Sequence, residues 1–246
     1  CKYEVHSTPE KEILIMTEYA TCTVRDLRRV WMPHKELLSK TYPDGSHTAI
    51  RFHRACSWLA EVEKLVSAET GEVKDIDKAL LYQWIAFNAL YGQWNEEENI
   101  PKKDISSWRE FNGKIVKLDA DELFKQVLLE NREQVEIIFT NQFLSNYFWR
   151  DPTELAAKRS RKDFYSSHTW YLEENWTSIL DQLVRRIYLQ RCQLIHGAAT
   201  YGSRENRDSV ALCSEMLDHI VRASMLVFVR YGAYEEWGTM CYAPVK

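Results

Sequence analysis

From Thr23 onward, apolar residues recur at helical rather than alternating spacing. A first helix is predicted from Thr23 or Val24 through Leu27, Trp31 and Leu37-Leu38, with Pro33 expected to kink or split it. Tyr42-Pro-Asp-Gly-Ser46 reads as a turn, because Pro sets φ and Gly accepts positive φ. A second helix over about 47–68 carries Ile50, Ala55, Trp58, Leu59, Val62 and Leu65. A third, about 75–93, carries Ile76, Leu80, Trp84, Phe87 and Leu90-Tyr91, and Gly92 is placed to end it.

Glu96-Glu97-Glu98 and Pro101 read as a polar linker, followed by helices over about 104–117, 120–131 and 133–149 that close at Asp151-Pro152. Residues 152–174 are polar and mixed. They hold the densest basic run, Lys158, Arg159, Arg161 and Lys162 around Ser160. That run reads as a solvated loop or helix face, or as a strip able to track an RNA backbone. The last two helices, about 175–196 and 205–231, are the clearest. A small-residue hinge, 197–203, joins them and makes them antiparallel neighbours. No internal repeat and no convincing strand set is present. The expected class is an all-α bundle in one domain, 23–246, behind an N-terminal extension over 1–22. Residues 1–15 begin with Cys, precede the first methionine and read as a tag, an upstream extension or a trimmed leader. Within them Ile13-Leu14-Ile15 reads as a short strand or a disordered stretch.

Composition narrows the picture. Gly and Pro total only 14 of 246 residues, which argues against a turn-rich all-β chain. Nine Trp and 45% hydrophobic residues supply a sizeable core. The formal net charge of −4 does not imply a wholesale grip on nucleic acid, so any phosphate site must be local. Six Cys without a Cys-x-x-Cys pair read as reduced thiols in a cytoplasmic protein. No run of 18 apolar residues exists, so no membrane span is expected.

One residue breaks the pattern. Leu180, Leu183, Val184, Ile187 and Leu194 share a face of the 175–196 helix, and Arg191 falls in the middle of it. A charge on a core stripe needs a carboxylate or a phosphate. Glu215 and Asp218 on the next helix are the carboxylates within reach of such a pairing. Tyr188, Leu189, Cys192 and His196 form a second, partly apolar face, covered either by a central position in the bundle or by another subunit. His196 precedes Gly197 at the expected helix end and faces the negative end of the helix dipole. Residues five apart on a regular helix point about 140° apart. Arg191 and His196 therefore converge only if the helix end deforms or a second copy supplies the complementary group.

The segment Arg191-Cys-Gln-Leu-Ile-His196-Gly197 resembles the Arg-x(4–6)-His motif of the HEPN superfamily. Trp84-Ile-Ala-Phe-Asn-Ala-Leu-Tyr-Gly92 looks like the early bundle helix of its Apea-like group. The resemblance covers about residues 24–232. It implies an HEPN-type up-and-down helical bundle with additional helices. It also implies a homodimer with two motifs in one cleft, and a metal-independent endoribonuclease used in phage defence, as a toxin or in stress. Arg191 and His196 would carry catalysis. Cys192 stands where many active members hold Asn, Asp or His. Tyr201, Asn206 and Arg207, just beyond the motif, are further RNA-contact candidates, with capping of the final helix the plainer role for Asn206. No cofactor is implied. Cys192 and His196 have metal-ligand spacing, but no second Cys/His pair accompanies them, so no metal site is expected. The rival expectations are a silent RNA- or nucleotide-binding module and a regulatory partner of a toxin. On the active reading, an antitoxin or defence-system partner is the expected companion.

Overall fold

A computed structural model describes residues 19–42 and 46–243. Most of the extension predicted over 1–22, including Ile13-Leu14-Ile15, lies outside the described residues, as does the centre of the turn at 43–45. The fold is all-α. Thr23 starts α1 (Val24–Thr41) with a capping box: its hydroxyl accepts the Asp26 N–H at 3.2 Å and the Asp26 carboxylate accepts the Thr23 N–H at 3.1 Å. Pro33 does not split this helix. It is exposed, and so is Arg29, whose carbonyl it leaves unpartnered, so water can take the missing bond.

Ser46 and Asp75 cap α2 (His47–Leu65) and α3 (Ile76–Tyr91), which pack against each other. The acidic linker contains a minimal hairpin that the sequence did not announce: β1 (Trp94–Asn95) pairs antiparallel with β2 (Ile100–Pro101). Helix α4 (Asp104–Leu118) falls where expected. Then come α5 (Leu123–Glu130) and α6 (Arg132–Thr140).

The single helix expected over 133–149 is broken. Asn141 turns its side-chain oxygen onto the Phe143 N–H at 3.0 Å, and Ser145 caps the short α7 (Asn146–Arg150) through the Tyr147 N–H at 3.3 Å. Such local side-chain acceptors compete with helix continuation. The mixed stretch that follows is helical: α8 (Glu154–Ser160), capped by Thr153, and α9 (Lys162–Leu172).

Helices α10 (Trp176–Ile195) and α11 (Arg207–Arg230) match the expected pair and touch each other. Helices α10 and α11 are both surrounded: α10 meets α3, α4, α5, α6, α9 and α11. Every residue from Ile220 to Val229 is buried, and α11 meets α1, α3, α4, α5, α6 and α10. No helix among the described residues is long and apolar enough to cross a membrane.

Candidate functional site on the late helix pair

Asn175 caps α10 by accepting the Ser178 N–H at 3.1 Å, and Ile179, Leu180, Leu183, Val184 and Ile187 anchor the helix in the core. The buried stripe then passes through Gln190, while Arg191 and Leu194 sit half-buried at its edge. The buried arginine of this helix is Arg186. It holds Asp163 Oδ2 through Nε at 3.1 Å and Nη2 at 2.8 Å, and it donates to the carbonyls of Asn141 and Ser160.

Arg191 is different. Neither carboxylate expected to pair with it does so. Asp218 is taken by Arg222, whose Nε lies 2.6 Å from Asp218 Oδ2, and Glu215 is exposed. Among the described residues no carboxylate reaches Arg191 at ion-pair distance, and its Nε is buried without a hydrogen-bond partner. What holds the guanidinium is aromatic: its carbon lies 5.9 Å from the centre of the Trp84 ring and 5.8 Å from that of Tyr188.

These rings belong to a larger cluster. Trp84 and Trp108 meet edge-on at 5.9 Å, and Trp108 lies 5.2 Å from Tyr188. The indole N–H groups of Trp84 and Trp108 are also buried without acceptors. Beside them Tyr91 donates to Asp104 at 3.3 Å, and Asn88 donates to both. Burial, with Cys192 and Asp104 nearby, pushes the Tyr188 phenol up to about 12. Trp84, Asn88 and Tyr91 occupy one face of α3 at i, i+4 and i+7, a signal present in the sequence but not assigned to the site.

Helix α10 ends in a Schellman arrangement. The Ala198 N–H reaches the Gln193 carbonyl at 2.9 Å, the Gly197 N–H reaches Leu194 at 3.2 Å, and Gly197 takes φ +69°. His196 is the C-cap residue of the helix and is exposed. No hydrogen bond or ring contact joins it to Arg191 within the chain. Cys192, half-buried, lies against Tyr188.

The loop beyond His196 is tied down on the start of α3. Tyr201 donates to Asp75, and the Gly202 N–H reaches Asp77 at 2.9 Å. Arg207 is committed inside the chain to Asp77 and to the Ser203 carbonyl. Asn206 sits at the start of α11 with φ +59°, and its side chain makes no capping bond. Capping therefore does not account for it, although Asn tolerates that backbone well. Lys158, Arg159, Arg161 and Lys162 lie apart from this loop, on α8, α9 and the residue between them, and all four are exposed.

No group of three or more potential metal ligands gathers among the described residues. No family model, curated protein or solved structure matches the chain.

Proposed function

We propose that the chain is an HEPN-type, metal-independent endoribonuclease whose cleft is shared by two copies. Arg191 carries the reading. It is a half-buried arginine oriented by two aromatic faces, with no carboxylate partner among the described residues and with a buried Nε that has no acceptor. A phosphate is the ligand that such a planar fork suits best. RNA brings its own nucleophile: the 2′-oxygen attacks the adjacent phosphorus and the 5′-oxygen leaves. The products are a 2′,3′-cyclic phosphate and a 5′-hydroxyl. His196 moves the proton, since an imidazole has one ring nitrogen that can give a proton and one that can take it. Arg191 stabilises the charge on the phosphoryl oxygens.

A regular helix separates the two side chains by about 140°. A two-fold pairing of α10 ends repeats each group across the axis and lets one copy's Arg191 face the other's His196. A cytoplasmic role in phage defence, toxicity or stress is the setting in which such an activity is useful. The test is purified protein on end-labelled RNA, with EDTA and with DNA of the same sequence. Cleavage that survives EDTA and spares DNA is expected; equal cutting of DNA, or loss of cutting with EDTA, overturns the mechanism.

Cys192 favours a second reading, a silent RNA-binding module. It offers a weak hydrogen-bonding thiol, turned toward Tyr188, beside the arginine. Binding without cleavage by the wild type selects that reading.

A further inference from the structure

The basic run is an exposed face that borders a groove. Lys158 and Arg159 from α8 and Lys162 from α9 line an open groove of about 740 Å³ with Tyr147, Tyr165 and Ser166. None of the three cations has a carboxylate partner among the described residues. Asp163, next to Lys162 in sequence, is drawn away by buried Arg186, and Glu154, one turn before Lys158, makes no ion pair with it. Tyr147 and Tyr165 are 43% and 62% exposed, and the Tyr165 ring meets Phe164 edge-on at 5.4 Å.

The groove is also stiffened from below. Arg186 fixes the α8–α9 junction through the Ser160 carbonyl and Asp163. Gln193 and Trp149 both donate to the Phe143 carbonyl, each at 2.8 Å, which ties the α7 wall to the last turns of α10. Arg186 and Gln193 bracket Arg191 on one helix. At about 1.5 Å rise and 100° turn per residue, Arg186 lies roughly 7–8 Å along the axis from Arg191 and about 140° around it, so the groove and the Arg191 guanidinium stand on different faces of α10.

We propose that this groove binds single-stranded RNA, with Lys158, Arg159 and Lys162 on successive phosphates and Tyr147 and Tyr165 stacking on bases. Cations spaced along a groove, interleaved with exposed aromatic side chains, are what a flexible strand needs and a stiff duplex does not. The proposal rests on the ribonuclease reading and deepens it by giving the substrate a second anchor, on another face of the helix that carries Arg191.

The experiment measures binding of a 2′-O-methyl RNA 12-mer, which has no free nucleophile, by fluorescence anisotropy at several salt concentrations. Wild type is compared with the triple variant Lys158→Gln/Arg159→Gln/Lys162→Gln and with Tyr147→Ala and Tyr165→Ala; melting temperatures establish that each is folded. The triple variant is expected to bind at least tenfold more weakly. Its log–log salt slope should flatten by about 2, following roughly 0.7 per phosphate contact on single strands. Each tyrosine variant is expected to lose about fivefold or more, and a matching duplex to bind more weakly than the single strand.

An unchanged affinity and slope in a folded triple variant overturns the proposal. So does wild-type protein that binds anionic vesicles but not the oligomer. Because the probe cannot be cleaved, binding that depends on the groove supports the proposal even if unmodified RNA is never cut. Cutting that coexists with groove-independent binding removes the proposal and leaves the nuclease.

Discussion

Arg207 and Asp77 face each other as a bidentate pair, Nη1 to Oδ1 and Nη2 to Oδ2, both at 3.1 Å. The Asp77 side chain is 7% exposed and also accepts the Gly202 N–H. Two elements are thus clamped to the start of α3: the first residue of α11 and the loop that follows His196. Removing Arg207 strands a nearly buried carboxylate. Arg207→Ala is expected to cost about 2–4 kcal/mol, somewhat under the range for fully buried pairs because the arginine is partly solvated. Chemical denaturation of the two single variants and of Arg207→Ala/Asp77→Ala measures the coupling. A coupling energy near zero would show that solvent screens the pair. Hydrogen exchange at Gly202 should quicken in Asp77→Ala.

Asp181 gives α10 a pH signature. Burial pushes its carboxyl up to about 6, against the stabilising Asn112 amide, which donates to it at 2.8 Å. An unfolded carboxyl ionises near 3.9. As pH rises from that value to about 6, the unfolded chain releases the proton first. Folding stability therefore falls across this window, and the full penalty is present above it. Asp181→Asn removes the penalty while keeping the shape. It should gain about 1–3 kcal/mol at pH 7–8 and nothing near pH 3.5. Equal gains at both pH values would contradict the assignment.

Arg51 is the hidden anchor of the C-terminal segment. It is fully buried and donates to four carbonyls: Leu90 at 3.0 Å, Gly92 at 2.6 Å, and Trp237 and Gly238 at 3.2 Å each. It so ties the end of α3 to the chain beyond α11. Arg51→Met leaves those carbonyls without donors and is expected to destabilise by about 3–5 kcal/mol. Limited proteolysis should then cut first between Gly232 and Tyr242. Wild-type resistance there would show that other contacts hold the segment.

Arg51 also marks where sequence reading stops. Its helix was legible from Ala55, Leu59 and Val62, but nothing local says that an arginine four residues before Ala55 is aimed at carbonyls from two distant segments. Helices α10 and α11 were legible almost to the residue, because long apolar stripes end at Gly197 and begin again after Asn206. The short helices α7, α8 and α9 were not, since each buries two residues or fewer, too few to mark an apolar stripe. At the site, the periodicity flagged Arg191 as anomalous. Its neighbours were misjudged because Asp218 is claimed by Arg222 one turn along its own helix, a local pairing that outcompetes a tertiary one.

Among the described residues no carboxylate stands beside Arg191, which on the proposed reading separates stability from activity at this position. Were Arg191 a buried ion-pair member, its removal would cost about 3–5 kcal/mol. Held instead over Trp84 and Tyr188, it contributes about 0.5–2 kcal/mol through cation–π contact. Arg191→Ala is therefore expected to melt only a few degrees below wild type while RNA cleavage collapses. Arg191→Lys keeps the charge but loses the planar fork, so its cleavage should also fall substantially. His196→Ala, exposed at the helix end, should keep wild-type stability and RNA affinity and lose about 10²–10⁴ in cleavage rate, the usual worth of a positioned proton donor or acceptor. Mixing Arg191→Ala with His196→Ala protein tests the shared cleft directly. Each is inactive alone, but a mixed dimer restores one complete Arg191–His196 pair, so activity should return to a fraction of wild type. Full cleavage by a folded His196→Ala protein would remove histidine from the mechanism. A monomer by sedimentation at tens of micromolar would remove the shared cleft.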